Sequence, residues 1–281
     1  MKKILIIKHG SLGDIALALP AFASIKKHFN KSKIFLLTEK KYFNFFKKSP
    51  YIDKCIEDNR SKNLLKTFEM LNSLLTYKFN FLIDLQNSKR TSLYNLFFKI
   101  FSKSIISSSR GFSNFRYKIP IQGTETVISG LFNQLKLINV KRNKKENYSW
   151  LSVKLKDKYK KPLALFIPGV SKRGNYKQLE PIKFARIAKY LESLNYMICV
   201  IGNKEDEKSI KPILESCNNV INKTGNSPPE IIYSIALKSK IIFSNDTGPG
   251  HIAALAKKNF VYVLNNNSIS KSNISKKPHI F

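Results

Sequence analysis

Residues 4–25 have the sequence ILIIKHGSLGDIALALPAFASI. A continuous apolar run leads into a turn that contains glycine and serine, and apolar residues at helical spacing follow it. This order predicts a buried strand, a loop and a helix. Pro20 lies inside the helical pattern. We expect the helix either to begin late or to kink there, because proline lacks the backbone N–H that a helix interior needs.

Apolar runs of strand length alternate with helical patterns through most of the chain. The further strand patterns lie at residues 34–37, 79–85, 105–108, 163–167, 197–201, 220–221, 241–244 and 260–264. The further helical patterns lie at residues 64–75, 93–101, 127–137, 182–194, 205–216, 230–237 and 252–256. Alternation of this kind predicts parallel sheets covered by helices.

A polar, lysine-rich segment at residues 139–161 interrupts the alternation. Its composition is typical of a connection between domains. We therefore predict an α/β protein with two Rossmann-like domains whose parallel sheets face a cleft. The domains are predicted at residues 1–138 and 162–281, with residues 139–161 as the linker. Ligands of such sheets bind beyond the carboxyl ends of the strands, so the loops that follow strands are the candidate sites.

The chain is strongly basic. Its 281 residues include 50 Lys and Arg against 18 Asp and Glu, which gives a formal net charge of +32, and 43% of the residues are hydrophobic. Such a charge favours nucleic acid, an anionic membrane face or a phosphorylated substrate as partner. The alternative is a diffusely basic surface with no single partner, in a chain rich in lysine, asparagine and isoleucine.

The cysteines indicate neither a disulfide framework nor a zinc site. Three cysteines lie far apart without a CxxC pair: Cys55, Cys199 and Cys217. This usage predicts a reducing, cytoplasmic compartment. Lys8 and Asp14 interrupt the N-terminal apolar stretch, which distinguishes it from a secretory signal. No stretch approaches the roughly 18 uninterrupted apolar residues of a spanning helix, so we expect any membrane contact to be peripheral.

The first candidate loop is His9-Gly10-Ser11-Leu12-Gly13-Asp14. Its glycines permit close approach of the backbone to a ligand. Asp14 stands at the start of the predicted helix, where a carboxylate either caps the helix or acts on a ligand bound at its N-terminus. The residues alone leave both roles open.

The second candidate loop is Ser244-Asn245-Asp246-Thr247-Gly248-Pro249-Gly250-His251. Two glycines, a hydroxyl and a helix start favour a cradle for a diphosphate. The alternative is an ordinary turn between strand and helix, with Asp246 or Thr247 as the cap and His251 in solvent.

The third candidate loop is Pro168-Gly169-Val170-Ser171-Lys172-Arg173-Gly174-Asn175-Tyr176-Lys177. It is long and basic, and it precedes a helix with Pro181 in its first turn. Phosphate is the expected ligand. In a chain with so many lysines, Lys177 is otherwise an ordinary surface residue.

Three segments of these loops carry a resemblance to a known family. They are Ser11-Leu12-Gly13-Asp14, Lys177-Gln178-Leu179-Glu180-Pro181-Ile182-Lys183-Phe184 and Asp246-Thr247-Gly248-Pro249-Gly250-His251. Their order and spacing resemble the Ser-Leu-Gly-Asp, Lys-Arg-Trp-Pro-Pro-Glu-Arg-Phe and Asp-Thr-Gly-Pro-Met-His motifs of the ADP-heptose:lipopolysaccharide heptosyltransferases, glycosyltransferase family 9. Leu179 stands in place of Trp, Glu180 in place of the first Pro, and Gly250 in place of Met. Two shorter segments, Asp84-Leu85-Gln86 and Arg110-Gly111-Phe112, resemble acceptor-side segments of the same family.

The resemblance implies a GT-B fold and an inverting, metal-independent glycosyltransferase without a cofactor. It assigns the catalytic base to Asp14. The implied donor-binding residues are Ser171, Lys172, Lys177, Asp246, Thr247, Gly248 and His251. The implied acceptor-side residues are Ser11, Gly13, Gln86 and Arg90. The family continues beyond the position of Phe281 with a helix that braces its first domain, so we expect a shortened C-terminal domain.

The implied substrates are a nucleoside-diphosphate sugar, ADP-heptose by resemblance, and a lipopolysaccharide core or similar anionic glycolipid. The implied location is the cytoplasm, with peripheral contact at the anionic inner membrane face. Two alternatives stay open: a catalytically weak family member that binds nucleotide sugar, and a basic nucleic-acid-binding protein. GxGxxG, Walker A, GxSxG and DxD patterns are missing, as are zinc-finger and RNP motifs, which disfavours the other enzyme classes and nucleic acid as a partner.

Overall fold

The computed structural model describes residues 1–120, 125–156, 159–171, 178–225, 227–263 and 279–280. The chain forms two compact units, Met1–Trp150 and Leu151–Phe281. Each unit contains a six-stranded sheet. Every pair of neighbouring strands in both sheets is parallel. The α/β class and the parallel sheets predicted from the alternation are confirmed.

The first unit has the strand order β3-β2-β1-β4-β5-β6. Its strands are β1 (Lys3–Ile7), β2 (Lys33–Thr38), β3 (Lys54–Glu57), β4 (Phe81–Asp84), β5 (Ile105–Ser108) and β6 (Phe115–Arg116). Its helices are α1 (Leu12–His28), α2 (Phe43–Phe46), α3 (Leu64–Leu75), α4 (Lys89–Phe101) and α5 (Val127–Lys136). The strand order reverses direction between β1 and β4, so their carboxyl ends border the crevice where ligands of such sheets bind.

The second unit has the strand order β12-β11-β10-β7-β8-β9. Its strands are β7 (Leu163–Ile167), β8 (Met197–Val200), β9 (Val220–Asn222), β10 (Ser239–Ser244), β11 (Asn259–Tyr262) and β12 (His279–Ile280). Its helices are α6 (Pro181–Ser193), α7 (Glu207–Ser216), α8 (Pro229–Lys238) and α9 (Gly248–Ala254). Here the reversal falls between β7 and β10.

The two central strands are apolar because both faces of each sheet are covered. All residues of β7 and the last four of β1 are buried. In the first unit, aromatic residues of α4 pack with apolar residues of β1, β2 and β4. In the second unit, α6 and α7 cover the corresponding face. A continuous apolar strand is the expected pattern for this burial.

Helix α1 begins before Pro20 and continues past it, so a late start is wrong. The chain is buried without interruption from Ile15 to Ile25. Proline removes one backbone hydrogen bond, and packing on the sheet compensates for that loss. The Oγ of Ser24 also donates to the carbonyl of Pro20, at 2.8 Å.

Other element ends also differ from the predicted ones. Helix α4 begins at Lys89 rather than residue 93, because Ser88 and Thr91 form a capping box. Helix α9 begins at Gly248 rather than residue 252, with Pro249 in its first turn, where proline is well tolerated. Strands β3, β6 and β12 have no counterpart in the predicted set. Strand β3 is short, and charged or half-buried residues interrupt its apolar pattern.

The division between the units falls inside the segment predicted as the linker. Residues 139–150 belong to the first unit. The backbone N–H of Asn143 donates to Ser24 Oγ at 2.9 Å, and the ring of Trp150 packs edge to face on Phe45. Local composition did not reveal these contacts, because their partners lie about a hundred residues away in sequence.

Candidate functional site

The loop after β1 holds Asp14 in a capping box. Ser11 is the N-cap of α1, and Asp14 is the third residue of the helix rather than the cap. The Asp14 Oδ2 accepts hydrogen bonds from the Ser11 backbone N–H at 2.7 Å and from Ser11 Oγ at 2.8 Å. Asp14 is exposed. Capping therefore uses one carboxylate oxygen and still leaves Asp14 at the surface.

Gly10 allows this loop to turn back on the helix. Its φ is +113°, and a Cβ at this position would lie 2.5 Å from the Asp14 Oδ2. The hydroxyl of Tyr42 donates to the Gly10 carbonyl at 2.8 Å. Burial, together with the charges of Glu39 and Asp14, raises the pKa of Tyr42 to about 12. The hydroxyl is therefore protonated at neutral pH, and its hydrogen bond to the Gly10 carbonyl fixes the position of the loop.

A chain of side chains links this loop to Arg90. His9 Nε2 lies 3.1 Å from Asp58 Oδ2, and the hydroxyl of Tyr94 donates to the same oxygen at 2.9 Å. Arg90 Nε donates to the Tyr94 hydroxyl. The two other Arg90 nitrogens donate to the carbonyl of Ser61 and to the hydroxyl of Thr67, also within the first unit.

The link stabilises the ionised form of Asp58. Burial opposes that ionisation, but the contact with His9, the backbone N–H of Arg60 and the hydroxyl of Tyr94 outweigh it and hold the pKa of Asp58 below its usual value. Asp58 and Tyr94 are residues that sequence reasoning missed. No motif marks them, because they meet His9 only through the fold.

Gln86 connects the carboxyl ends of β1 and β4. Its Oε1 accepts the backbone N–H of His9 at 3.0 Å. Just before it, Asp84 is fully buried. Burial raises the pKa of Asp84, although hydrogen bonds from the Asn87 N–H and the Ser108 hydroxyl oppose that rise. These contacts place the predicted acceptor-side residue Gln86 against the same loop that carries Asp14.

The side chain of Lys8 is buried close to this loop. Its ammonium lies 3.4 Å from the carbonyl of Leu85. Burial lowers the pKa of Lys8, while the charges of Asp14 and Asp84 oppose the shift. The amine of Lys8 therefore lies near both Asp14 and Asp84 at this edge of the sheet.

In the second unit, Asn245 joins three segments at the carboxyl ends of β7 and β10. Its Nδ2 donates to the carbonyl of Pro168 at 2.7 Å, and its Oδ1 accepts the backbone N–H of Leu179 at 3.1 Å. Its own N–H donates to the carbonyl of Ile167 at 3.2 Å. Asn245 is fully buried. It fixes the loop after β10 relative to both ends of the third candidate loop.

Asp246 and His251 form a buried pair. His251 Nε2 lies 3.2 Å from Asp246 Oδ1, and both side chains are about 5% exposed or less. His251 Nδ1 lies 3.1 Å from the hydroxyl of Tyr262. The alternative in which His251 is solvated is therefore wrong. Thr247 is the N-cap of α9 without a capping side-chain hydrogen bond, and it and Gly248 are partly exposed.

A family model, glycosyltransferase family 9 (heptosyltransferase), matches residues 67–265. That range includes the whole loop with Asn245 and its partners. The chain belongs to glycosyltransferase family 9. Residues 11–14 lie outside the matched range, so the position of Asp14 rests on the fold and on the Ser-Leu-Gly-Asp resemblance.

Solved structures share the fold of this family 9 chain at low sequence identity. A family 9 glycosyltransferase from Veillonella parvula is 19% identical, with a TM-score of 0.79, over 100% of this chain and 86% of that one. E. coli ADP-heptose LPS heptosyltransferase II is 16% identical, with a TM-score of 0.75, over 100% and 90%. E. coli heptosyltransferase WaaC, solved with ADP-2-deoxy-2-fluoro heptose, is 14% identical, with a TM-score of 0.76, over 99% and 92%. No curated protein matches the chain by sequence. The fold is therefore of the GT-B type.

The third loop of this family 9 chain is described only at its ends. Lys172 and Lys177 lie outside the described residues, and Ser171 is exposed. Leu179, which replaces the Trp of the motif, is buried in the core beside Phe184. The backbone N–H of Leu179 donates the hydrogen bond that Asn245 Oδ1 accepts. The replacement therefore keeps an apolar anchor at the start of α6.

The predicted residues thus fall into two sets. Ser11, Gly13, Asp14 and Gln86 meet at the carboxyl ends of β1 and β4, and Arg90 reaches them through Tyr94, Asp58 and His9. Asp246, Thr247, Gly248 and His251 form the turn after β10.

The described part of the chain contains neither a cluster of metal-binding side chains nor a membrane-spanning helix. No group of three His, Cys, Asp or Glu side chains there is placed to hold a metal ion. No helix there is long and apolar enough to cross a membrane.

Proposed function

We propose that this family 9 chain is an inverting, metal-independent glycosyltransferase that moves a sugar, heptose by preference, from an ADP-linked donor to an anionic glycolipid acceptor of the lipopolysaccharide core type. The observation that carries the proposal is the exposed carboxylate of Asp14, at the carboxyl end of β1 in a GT-B fold. Two solved relatives support the choice of donor and acceptor, because one is described as an ADP-heptose LPS heptosyltransferase and the other contains an ADP-heptose analogue.

The proposed reaction is a single in-line displacement. Asp14 removes the proton of the acceptor hydroxyl, and the acceptor oxygen forms a bond to the anomeric carbon of the donor sugar. The bond between that carbon and the diphosphate breaks on the opposite face, and the nucleoside diphosphate leaves with the electron pair. Configuration at the anomeric carbon is inverted, and positioned base catalysis of this kind contributes about 10²–10⁴-fold.

The donor diphosphate is proposed to bind the second unit. Partly exposed Thr247 and Gly248 offer backbone N–H groups to an anion. Ser171, Lys172 and Lys177 are proposed to neutralise the charge that develops on the leaving diphosphate. Asp246 and His251 contribute by holding this turn in shape, since their side chains are turned inward and paired.

The net charge of +32 suits an acceptor held in an anionic membrane. Each well-placed Lys or Arg adds about 1 kcal/mol to binding at such a surface. We propose that the enzyme works at the cytoplasmic face of that membrane as a peripheral protein.

A donor panel tests the function. Thermal shift is measured with ADP, UDP and GDP and with their available sugar derivatives, on the wild type and on Lys177→Ala. A ligand at 100 times its dissociation constant stabilises one site by about 2.7 kcal/mol. We expect ADP compounds to raise the melting temperature selectively in the wild type and not in Lys177→Ala. We also expect the protein to release ADP from the sugar donor only when acceptor is present, and to do so in the presence of EDTA.

Two results would contradict the proposal. If no nucleotide stabilises the protein, the proposed donor site is wrong. If ADP binds but no acceptor-dependent turnover is measured, the chain is a nucleotide-binding protein rather than a transferase. Loss of turnover in EDTA would overturn metal independence alone.

A further inference from the structure

Helices α3 and α4 of the first unit present large apolar side chains to solvent. Six of them are between 51% and 78% exposed: Leu64, Leu65, Phe68, Leu93, Ile100 and Phe101. On α4 they recur at the spacing of one helix face. An exposed cluster of this size, rather than scattered single residues, indicates an interaction surface.

Five of the six residues, all except Ile100, are joined into one strip. The ring of Phe68 packs edge to face on Phe97, with centroids 5.5 Å apart, and Phe97 contacts Phe101 at 4.9 Å. A groove of about 430 Å³ runs between the two helices, and Leu64, Leu65, Leu93 and Arg90 line it. Apolar contact therefore connects the exposed residues of both helices.

The segments that carry this strip are rich in basic residues. Residues 60–75 and 89–105 contain seven basic residues and one acidic residue, Glu69. The basic residues are Arg60, Lys62, Lys66, Lys89, Arg90, Lys99 and Lys103. An exposed apolar strip in segments rich in lysine has the character of an interfacial membrane contact, in which apolar residues enter the acyl region and lysines reach anionic headgroups.

The surface begins beside the predicted acceptor site. Helix α4 starts at Lys89, only three residues after Gln86, and Arg90 both lines the groove and ends the chain of contacts to His9. An acceptor embedded in a bilayer at this surface would emerge next to the loop that carries Asp14.

We propose that the exposed faces of α3 and α4 form a docking surface for an anionic lipid bilayer. The charge of the surface argues for anionic lipid, and its apolar strip argues for insertion rather than purely electrostatic adsorption. Binding of this surface to a bilayer does not require the proposed reaction. Only the role of that binding, which is to bring the enzyme to its acceptor, rests on the proposed function.

Cosedimentation with vesicles tests the surface. The probes are vesicles of phosphatidylcholine alone and of phosphatidylcholine with 30 mol% phosphatidylglycerol, at low and high salt. The apolar variant is Leu65→Gln/Leu93→Gln/Phe101→Gln, and its matched control is Ile182→Gln/Tyr190→Gln/Leu194→Gln, at exposed positions of the second unit. The charge variant is Lys66→Gln/Lys99→Gln, and its control is Lys208→Gln/Lys258→Gln, again at exposed positions.

We expect the wild type to bind the anionic vesicles and to lose binding at high salt. The apolar variant should bind at least about tenfold more weakly. The charge variant should lose about fivefold for each lysine at low salt. Both controls should stay within about twofold, and unchanged melting curves would verify that the variants fold.

Three outcomes would overturn the proposal. They are no binding of the wild type to anionic vesicles, equal binding to phosphatidylcholine alone, and equal losses in the variants and their controls. A lipid-free dimer in light scattering that the apolar variant dissociates would instead assign the surface to a second copy of the chain. The ADP-induced thermal shift is measured on the same variants, so failure of docking and failure of donor binding are distinguishable.

Discussion

In the first unit the aspartate in the first turn of the helix after β1 is exposed, whereas in the second unit the aspartate of the loop after β10 is buried against a histidine. Both loops join a strand to a helix, and both combine aspartate with glycine and a hydroxyl residue. Asp14 has one oxygen in a capping box, whereas Asp246 is paired with His251 inside the unit. An exposed carboxylate can take a proton from a substrate, and a buried paired one shapes the backbone around it.

The largest expected difference between the loops concerns turnover. Asp14→Asn should lower kcat by about 10²–10⁴-fold because the base is lost, while donor affinity is kept. Ser11→Ala is the matched control, since it removes the cap but keeps the carboxylate, and it should cost only about 1 kcal/mol of stability. Steady-state kinetics and donor titration measure both. If Asp14→Asn and the wild type have equal turnover, Asp14 is not the catalytic base.

The second prediction concerns the residue that joins the second loop to its neighbours. Asn245→Ala should lower the free energy of unfolding by about 2–4 kcal/mol, because the Pro168 carbonyl and the Leu179 N–H lose buried partners. Donor affinity should fall as well, since both ends of the third loop are released. Denaturant unfolding and ADP titration check this.

Asn219→Ala is the control, because this asparagine is exposed, and a surface change of this kind stays within about 0.5 kcal/mol. A stable Asn245→Ala variant with normal ADP affinity would show that the three segments hold together without it.

The third prediction concerns Gly250, which stands where the resembled motif has Met. A Cβ here would lie 2.3 Å from Ser244 Oγ and 3.1 Å from the Asn245 carbonyl oxygen. Gly250→Ala should therefore cost about 1–3 kcal/mol of stability through overpacking. Adding Ser244→Ala should restore part of that loss, because the closer of the two contacts disappears.

Gly111→Ala is the matched control, since the nearest atom to its Cβ would be 4.0 Å away. Additive losses in the double variant would mean that the Ser244 hydroxyl is not the obstacle.

The smallest expected effect is the pH dependence of the contact between Asp58 and His9. The pKa of Asp58 is lowered in the folded chain, so the unfolded chain binds more protons below the ordinary aspartate pKa of about 3.9. The stability that Asp58 contributes is therefore complete above that value and is lost as pH falls through the folded pKa. The melting temperatures of the wild type and Asp58→Asn should converge as the pH falls below the ordinary aspartate pKa and through the folded pKa of Asp58. A gap that widened in acid would contradict this sign.

Sequence patterns located most of the secondary structure but not all of its boundaries. Residues 105–108, 64–75 and 163–167 are predicted with the bounds that the structure has. A continuous apolar run marks the fully buried strand at residues 163–167, and apolar residues at helical spacing mark the helix at residues 64–75. Strand β3 was missed, because short edge strands carry little apolar pattern. Helix α1 continues past Pro20, because packing outweighs a local propensity.

By itself the sequence determined the α/β class, the alternation of strands and helices, and the loops that follow the strands. These features follow from local periodicity and turn residues, which can be read from short stretches of sequence without knowledge of the tertiary structure. Only the tertiary structure decided that Asp14 is exposed and Asp246 buried, that Asn245 joins three segments, and that Asp58 and Tyr94 support His9. The contacts of Asn245 and of Asp58 join residues tens of positions apart, which the strand order of each sheet brings together, whereas Asp246 and His251 are close in sequence and are buried by the packing around them.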